Sequence, residues 1–396
     1  MTERPKVLFV LPQLYKGGAE TALLNLLRAL GPDAADVYVL LANQLRWPGV
    51  VSLVGDVPPW VHLLNPAAKR PNIVRIGLEV LARAWEKLTG KRPVFGAFRA
   101  VRGQVFDWAF SYGEWTPQEW VARYVQATHK AAWVHADLDK AAYFRGEAYF
   151  KHNNAYETYL FVSDDSRVAA EKAWPALRGK SRCIHNVIDA DAIRGKAEDG
   201  IFPEDTLYFS QGLPVVLTCA NIRREKNHLR QVQAMALLKQ RGLDFIWLNV
   251  GATYNREQLI PQLQAAIRAA GLEKRFFLLG ERENPYGYMQ KADAMAVFSD
   301  HESWSMVITE ALALGKPVLA THTSGARAQI TDGVDGLLCG FTAEAMADTL
   351  ERFLADAALR GRLATGAAAS GRRPPAGLAE FKALTGNQGN QGGLSE

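Results

Sequence analysis

The chain has 396 residues, which is too long for one ordinary hydrophobic core and suits two domains. Hydrophobic residues make up 48% and charged residues 22%, a globular balance that excludes a disordered chain. The net charge of +5 is too small to indicate nucleic-acid binding, and the three cysteines show neither metal-ligand spacing nor even pairing. Such cysteine usage favours a reducing compartment, so we expect a cytoplasmic protein.

Short apolar runs, typical of buried parallel strands, recur along the chain and alternate with helical patterns. Alternation of this kind predicts βαβ units and parallel sheets. The first run, Lys6–Leu11, has strand length and no signal-peptide character, and no run reaches the roughly 18 apolar residues of a spanning helix. The predicted strands are Val7–Leu11, Val37–Leu41, Phe106–Phe110, Leu160–Val162, Val215–Cys219, Phe245–Val250, Phe276–Leu279, Ala294–Phe298 and Pro317–Ala320, and the clearest predicted helices are Glu20–Leu30, Leu229–Arg241, Arg256–Ala270 and Thr309–Leu314.

The alternation is interrupted once, by a mixed polar stretch with several glycines near residues 190–212. We therefore predict a first α/β domain over residues 1–190, a linker over 191–212 and a second α/β domain over 213–365. Residues 366–396 contain a Pro-Pro pair and end in a Gly-, Asn- and Gln-rich stretch, which predicts a partly disordered tail.

A pair of glycines, Gly17 and Gly18, follows the first predicted strand and opens a helix. Glycines there allow a phosphate to approach the amides at a helix N-terminus. The dinucleotide-binding fingerprint is excluded because no third glycine has the right spacing. A simple tight strand–helix turn remains an equal alternative.

Two glutamates, Glu302 and Glu310, flank the predicted start of a helix near Ser305. In that position the amides of residues 305–307 would face an anion. His301–Glu302 does not begin a zinc-binding helix, since the second histidine is absent, and Gly315-Lys316 is not a phosphate loop, since Pro317 replaces the required Ser or Thr.

This stretch resembles the E-x7-E signature of retaining glycosyltransferases of family 4, including the bacterial polysaccharide-type glycosyl transferases group 1. The resemblance implies the GT-B fold, in which two Rossmann-like parallel-sheet domains face each other across a cleft. It implies that Glu310 holds the nucleotide ribose and that Glu302 lies beside the donor sugar. It also implies that three backbone amides hold the diphosphate, those of Ser305, Met306 and Val307.

The resemblance extends over most of the chain. Lys16–Glu20 is similar to the family's N-terminal glycine loop, and Ile184–Asp189 to the motif that closes that domain. Ala220–His228 resembles the loop after the first strand of the donor domain, which places Lys226 on the family's diphosphate-binding lysine. Ser324–Leu338 resembles the loop and turn after the E-x7-E helix.

The chain also departs from the family pattern. Asn221 stands where an arginine is frequent, so Arg223 or Arg224 would have to reach the phosphates instead. Gln329 stands where the family usually has a glutamate. The segment after Gly366 matches poorly the aromatic helix that usually crosses back onto the first domain.

In the first domain, Trp133-Val-His135 resembles a Trp-x-His segment of bacterial polysaccharide members. The resemblance implies that His135 faces the cleft and shares the catalytic role with Glu302, whereas a structural histidine is the alternative. Asp137 and Asp139 would form a metal site in the other glycosyltransferase fold, but we expect no metal here and no cofactor beyond the donor substrate.

The segment 69–102 contains nine basic residues and two acidic ones. As a helix it would gather apolar residues on one arc and charged residues on the other. A basic amphipathic helix with a tryptophan suits an anionic membrane interface, whereas an ordinary surface helix is an equal alternative. The apolar arc contains Ile73, Ile76, Gly77, Val80, Leu81, Ala84, Trp85 and Leu88.

These features predict a retaining glycosyltransferase that moves a sugar from a nucleotide diphosphate sugar to a hydroxyl of a glycan or lipid-linked saccharide, in surface polysaccharide biosynthesis. The predicted partners are that donor, that acceptor and the inner face of an anionic membrane. Two other classes stay open: a different GT-B enzyme, such as an epimerase or phosphorylase, and a catalytically degenerate binding subunit.

Overall fold

The computed structural model describes residues 4–44, 51–64, 72–89, 97–141, 144–252, 259–372 and 376–386. The chain divides into two compact units, one of Met1–Val187 with Pro375–Glu396 and the other of Ile188–Pro374. No helix in the described ranges combines the length and apolar character needed to span a bilayer.

The first unit is built on a seven-stranded parallel sheet of order β3-β2-β1-β4-β5-β6-β7. Its central strands are buried on both faces because helices cover them, which is why they read as continuous apolar runs. The strands are β1 Lys6–Leu11, β2 Asp36–Leu41, β3 His62–Leu64, β4 Val105–Tyr112, β5 Gln126–Val134, β6 Thr158–Phe161 and β7 Ser181–Cys183. The α-helices before the second unit are α1 Gly18–Leu30, α2 Asn72–Thr89, α3 Gln118–Tyr124, α4 Gly146–Tyr149 and α5 Asp164–Ala173.

The second unit contains a six-stranded parallel sheet of order β10-β9-β8-β11-β12-β13. Its strands are β8 Val215–Cys219, β9 Ile246–Val250, β10 Phe276–Gly280, β11 Ala294–Val297, β12 Val318–Thr321 and β13 Gly336–Cys339. Its α-helices are α6 Ala190–Glu198, α7 Thr206–Phe209, α8 His228–Gln240, α9 Leu259–Ala269, α10 Tyr286–Lys291, α11 Met306–Ala313, α12 Ser324–Gln329, α13 Ala343–Ala355 and α14 Ala357–Ser370. Apolar side chains from both faces of this sheet form two buried clusters.

The prediction of two Rossmann-like parallel-sheet domains is confirmed, and every predicted strand coincides with one in the structure to within two residues. The predicted helix in segment 69–102 is α2. The predicted start of another helix, Arg256, lies outside the described residues, as do Lys69, Arg70, Lys91 and Arg92.

The stretch predicted as a linker, residues 191–212, is instead part of the second unit. Ile193 and Ala197 of α6 are buried, and the guanidinium of Arg194 donates to the Ala313 carbonyl oxygen at 3.2 Å. Asp205 is 4% exposed and pairs with Arg282 at 2.8 Å. The stretch resembles a linker because it contains several charged residues, of which Asp205 is buried in an ion pair.

The predicted tail over residues 366–396 also differs from the structure. Residues up to Ser370 continue α14, and Ala376–Thr385 forms a further helix, α15, which belongs to the first unit. Phe381 of α15 is fully buried, with its ring 6.0 Å from that of Phe9 and 6.1 Å from that of Trp133. One aromatic side chain therefore anchors α15, and the Gly-, Asn- and Gln-rich end lies outside the described residues.

Candidate functional site

Both sheets have a topological switch point, where neighbouring strands continue into helices on opposite sides of the sheet. In the second unit it lies between β8 and β11, and in the first between β1 and β4. Ligands of open α/β sheets bind beside the carboxyl ends of the strands at such points. The loops after β8 and β11 contain the residues that the sequence singled out, Lys226 and Glu302.

Lys226 and Glu302 form an ion pair at the switch point of the second unit. The Lys226 ammonium donates to Glu302 Oε1, and the Ser299 hydroxyl donates to the same oxygen at 2.9 Å. The Lys226 side chain is 26% exposed and that of Glu302 13%, so water screens the pair only in part. A cation and a carboxylate therefore lie at the switch point, where ligands of such sheets bind.

The backbone around Lys226 is fixed by the neighbouring loop. Asn227 has φ of 56°, a left-handed conformation that ends the turn before α8. Its side-chain amide donates to the Phe298 carbonyl oxygen at 2.9 Å and to Asp300 Oδ1 at 2.8 Å. The loop after β8 is therefore tied to the loop after β11.

The first residue of α8, His228, lies next to Lys226 in the sequence and is buried. Burial and, to a smaller extent, the charge of Lys226 together lower the pKa of its imidazole to about 4, so the ring is neutral at pH 7. Neither ring nitrogen has a hydrogen-bond partner among the described residues. Sequence analysis assigns this histidine no role, although it is the last residue of the motif that contains Lys226.

The backbone amide of Ser305, which is predicted to bind a diphosphate, already donates a hydrogen bond to another residue of the protein. Its N–H donates to Gln329 Oε1 at 2.9 Å, and Gln329 Nε2 donates back to the Ser305 carbonyl oxygen at 2.8 Å and to Thr309 Oγ1 at 2.6 Å. Met306 and Val307 are the first two residues of α11. Because first-turn amides have no acceptor within their own helix, these two are better placed than Ser305 to meet an anion.

Glu310 lies in the second turn of α11, where Tyr286 of α10 donates its hydroxyl to Glu310 Oε1 at 3.2 Å. Burial, followed by the charge of Glu310, raises the pKa of the Tyr286 phenol, which therefore stays protonated and acts as a donor. Burial also raises the pKa of the nearby Cys219 thiol, which is thus not a nucleophile. Glu310 is positioned as an acceptor of hydrogen bonds.

Arg223, a candidate to reach the phosphates in place of the family arginine, is largely exposed to solvent. Its side chain is 62% exposed, and the contact of its guanidinium with Glu225 is 3.9 Å long. Asn221, which replaces the frequent arginine, accepts a hydrogen bond from the Ala252 amide at 2.9 Å and so joins the loops after β8 and β9. Asn221 therefore has a structural contact in this chain.

A glycine allows the start of α12 to approach Glu302. A Cβ on Gly325 would lie 2.9 Å from the Glu302 carbonyl oxygen and equally near the backbone of Trp304. The Glu302 carbonyl oxygen accepts hydrogen bonds from the Gly325 amide at 2.6 Å and from the Ser324 hydroxyl at 2.9 Å. The start of α12 thereby fixes the backbone from which the Glu302 carboxylate projects.

In the first unit, Gly17 and Gly18 lie after β1, beside the switch point, where the chain enters α1. A Cβ on Gly17 would lie 2.5 Å from Glu20 Oε2, so this glycine leaves room for the carboxyl group to fold back over the loop. Burial and, to a smaller extent, the neighbouring Glu114 raise the pKa of Glu20 to about 7. The loop predicted to approach a phosphate thus also carries a titratable carboxyl group.

His135 follows β5 at the same edge of the sheet. Its backbone amide donates to Glu114 Oε2 at 3.0 Å, and its ring centroid is 4.6 Å from that of Tyr112. Burial lowers the pKa of His135 to about 3, so the imidazole is neutral at any physiological pH. Tyr112 donates to the Ala19 carbonyl oxygen at 2.9 Å, which links the surroundings of His135 to α1.

Asp137, a candidate metal ligand in the alternative fold, has protein partners. It accepts hydrogen bonds from the Ser166 hydroxyl and, at 3.4 Å, from the Lys140 ammonium. These contacts join the loop after β5 to α5, which is a structural role.

Part of the second unit is similar to known proteins. Residues 206–369 match the family model described as "Glycosyl transferases group 1". A relative from Campylobacter jejuni, N-acetylgalactosamine-N,N'-diacetylbacillosaminyl-diphospho-undecaprenol 4-alpha-N-acetylgalactosaminyltransferase, is 34% identical over 183 residues, which are 46% of each chain. The chain therefore spans less than half the length of this curated relative.

Solved structures resemble the fold over nearly the whole chain. Anabaena Alr3699/HepE in complex with UDP and glucose has a TM-score of 0.70 at 18% identity, covering 96% of this chain and 99% of its own. A glycosyltransferase from Rickettsia africae has a TM-score of 0.71 at 17% identity, covering 96% and 98%. These likenesses confirm the GT-B fold class, and within that fold residues 206–369 match the glycosyl transferases group 1 model.

Proposed function

We propose that the protein is a glycosyltransferase that moves a sugar from a nucleotide diphosphate sugar to a hydroxyl of a glycan or lipid-linked saccharide, with retention of anomeric configuration. The observation that carries the proposal is the pair of Lys226 and Glu302 at the switch point of the second unit. Support comes from the family match over residues 206–369 and from the transferase names of its relatives.

The donor would bind through groups already in position. Lys226 supplies a compact positive charge for the diphosphate, and the first-turn amides of Met306 and Val307 add hydrogen bonds. Glu310 would accept hydrogen bonds from the ribose hydroxyls. An arriving phosphate competes with Glu302 for Lys226, which would release the Glu302 carboxylate to accept from hydroxyls of the donor sugar.

In the proposed reaction the bond between the anomeric carbon and the phosphate oxygen breaks, and the acceptor oxygen bonds to the same face of that carbon. The acceptor proton moves to the leaving diphosphate, so atoms and charge balance without a protein nucleophile. Stabilisation of the leaving diphosphate by fixed charges and amides would be the main contribution to catalysis. We propose that neither a metal ion nor a cofactor takes part.

The first unit would bind the acceptor. Gly17, Gly18 and His135 lie at the carboxyl edge of its sheet, beside Glu20 and Glu114. A neutral, buried imidazole suits a hydrogen bond to a sugar hydroxyl better than a role as a charged group. The name of the Campylobacter relative describes transfer to a diphospho-undecaprenol-linked saccharide, which favours a lipid-linked acceptor and a role in surface polysaccharide synthesis.

We further propose that the enzyme works in the cytoplasm, at the inner face of the membrane, where nucleotide sugars meet lipid-linked saccharides. The cysteines suit such a reducing compartment, because Cys183, Cys219 and Cys339 are all free thiols.

A panel of nucleoside diphosphates and their sugars tests the proposal by thermal shift. A ligand that binds only the native state stabilises it by about 2.7 kcal/mol at 100 times its Kd. We expect one nucleotide to stand out, and its sugar to be transferred to a saccharide acceptor with the original anomeric configuration. Absence of any shift would contradict donor binding, conversion of the donor without acceptor would indicate an epimerase, and binding without transfer would indicate a binding subunit.

A further inference from the structure

Helix α2 exposes a broad apolar face. Its large apolar side chains have exposed fractions between 42% and 84%. At 100° per residue they fall within about half of the helix circumference, along a helix of 18 residues that is about 27 Å long. The residues of this face are Ile73, Val74, Ile76, Val80, Leu81, Trp85 and Leu88.

Helix α1 has a comparable amphipathic pattern, but its apolar face is buried. Its apolar residues Leu23, Leu24, Leu27 and Leu30 are buried against the first unit. An amphipathic pattern therefore leads to packing in α1 and to exposure in α2. Contiguous exposed apolar patches of this kind mark interaction sites in water-soluble proteins.

The charges of the same segment indicate what kind of partner would bind to this apolar face. Residues 69–102 contain nine Lys or Arg and only two Glu, and the described cations Lys87, Arg99 and Arg102 are exposed. A second copy of the chain would bring a face of the same charge, which opposes association. An anionic lipid surface satisfies both properties, because it accepts apolar side chains below its headgroups and attracts cations to them.

We propose that α2 is a membrane-docking helix, which lies in the interface of an anionic bilayer with its apolar face among the acyl chains. This inference deepens the peripheral location proposed above and does not depend on the reaction. It assigns the docking surface to the first unit, which is also the unit proposed to bind the acceptor.

Sedimentation of the full chain with vesicles tests the docking helix. We expect binding to vesicles that contain phosphatidylglycerol and little binding to phosphatidylcholine alone. Attraction between charges is nearly abolished at about 1 M salt, where the Debye length is about 3 Å, so binding should weaken there. Brominated lipids should quench wild-type fluorescence more than that of Trp85→Phe.

The matched variants separate the docking face from general surface hydrophobicity. Val80→Ala, Leu81→Ala and Leu88→Ala together keep helix propensity and should weaken vesicle binding at least about tenfold. The control, Val168→Ala, Leu207→Ala and Val334→Ala, removes side chains of similar exposure elsewhere and should bind as wild type does.

Three results would overturn the inference. The first is that the wild-type protein does not bind anionic vesicles, and the second is that the α2 variant binds them as well as wild type does. The third is that wild type is a dimer in solution whereas the α2 variant is a monomer. The last would make a second copy the occupant. The donor-induced thermal shift of the α2 variant should equal that of wild type, so failure of docking is distinguishable from failure of the proposed reaction.

Discussion

Gln329 and Ser305 form a reciprocal pair of hydrogen bonds, in which the glutamine side chain accepts from the Ser305 amide at 2.9 Å and donates to the Ser305 carbonyl oxygen at 2.8 Å. Only a carboxamide satisfies both partners, since a carboxylate has no N–H to donate. The residue that departs from the family pattern therefore holds the N-terminus of the helix that contains Glu310.

Gln329→Glu should loosen this helix. The carboxylate loses its bonds to the Ser305 carbonyl and the Thr309 hydroxyl, which we expect to lower the free energy of unfolding by about 1–3 kcal/mol. Nucleoside diphosphate affinity should fall about tenfold, because a fixed negative charge then lies near the predicted diphosphate site. Thermal unfolding with and without nucleotide measures both effects. Gln240→Glu, at the exposed end of α8, makes the same charge change and should alter neither.

Lys226→Ala should reduce transfer by about 10²–10³-fold at saturating donor, the cost of removing one preorganised charge-stabilising group. The variant also leaves Glu302 with Ser299 as its described partner, so donor affinity should fall as well. Initial rates over a donor titration separate the two effects. Lys291→Ala, an exposed lysine at the end of α10, is the control, and a Lys226 variant within a few-fold of wild type would remove the lysine from the mechanism.

Glu310→Gln keeps the shape of the side chain but removes its charge. If the carboxylate accepts hydrogen bonds from ribose hydroxyls, calorimetry should show nucleoside diphosphate binding weakened by about 1.5–3 kcal/mol. Tyr286→Phe removes the hydroxyl that contacts Glu310 while leaving the carboxylate in place, so it should have the smaller effect. Unchanged affinity in a folded Glu310→Gln variant would mean that the glutamate does not bind ribose.

Transfer activity should survive EDTA. The proposed counter-charges for the leaving diphosphate are Lys226 and the amides of α11, so no divalent ion is required. Initial rates before and after chelation, with a re-addition series of Mg²⁺ and Mn²⁺, measure this. Activity abolished by EDTA and restored by a divalent ion would contradict the proposed mechanism.

Glu20 should make the stability of the first unit depend on pH. Its pKa rises from 4.5 to about 7 on folding, so the native state favours the protonated form. That contribution, on the order of 3 kcal/mol, is complete below about pH 4.5 and is lost as pH rises through about 7. Unfolding measured from pH 5 to 8 should therefore show wild type losing stability relative to Glu20→Gln.

The neighbouring histidine contributes a pH dependence of the opposite sign. Burial lowers the pKa of His135 from 6.5 to about 3, so its contribution to stability is present above about pH 6.5 and is lost as pH falls towards 3. His135→Gln should therefore keep the loss of stability between about pH 4.5 and 7, whereas Glu20→Gln should abolish it. If His135→Gln removed that loss, the titration would not belong to Glu20.

The sequence predicts most strands of both sheets because a strand buried on both faces must be a continuous apolar run. It misses β3 and β7, which are three residues long and lie at the sheet edges with partly exposed side chains. It also misses β5, whose first half is polar and partly exposed, and β13, a four-residue strand at the edge of the second sheet. Edge strands and half-exposed strands carry weaker patterns, since water replaces one packed face.

The sequence predicts only those residues of the site that belong to local motifs. Glu302, Glu310 and Lys226 are visible because they belong to short recognisable stretches. The contact between Gln329 and Ser305 joins residues 24 positions apart, and that between Tyr286 and Glu310 also joins residues 24 positions apart. Such pairs depend on how loops after different strands meet, which periodicity and spacing do not encode.

Helix α15 has a consequence for synthesis of the protein on the ribosome. Phe9, Phe110 and Trp133 emerge early, but Phe381, which packs against all three rings, is translated after the entire second unit. The second unit is one continuous segment and can complete its core while translation proceeds. The first unit keeps an aromatic patch uncovered until residues 376–385 have left the exit tunnel. A premature stop near residue 374 would therefore leave a complete second unit joined to a first unit with an exposed aromatic surface, which is the kind of chain that aggregates or recruits chaperones.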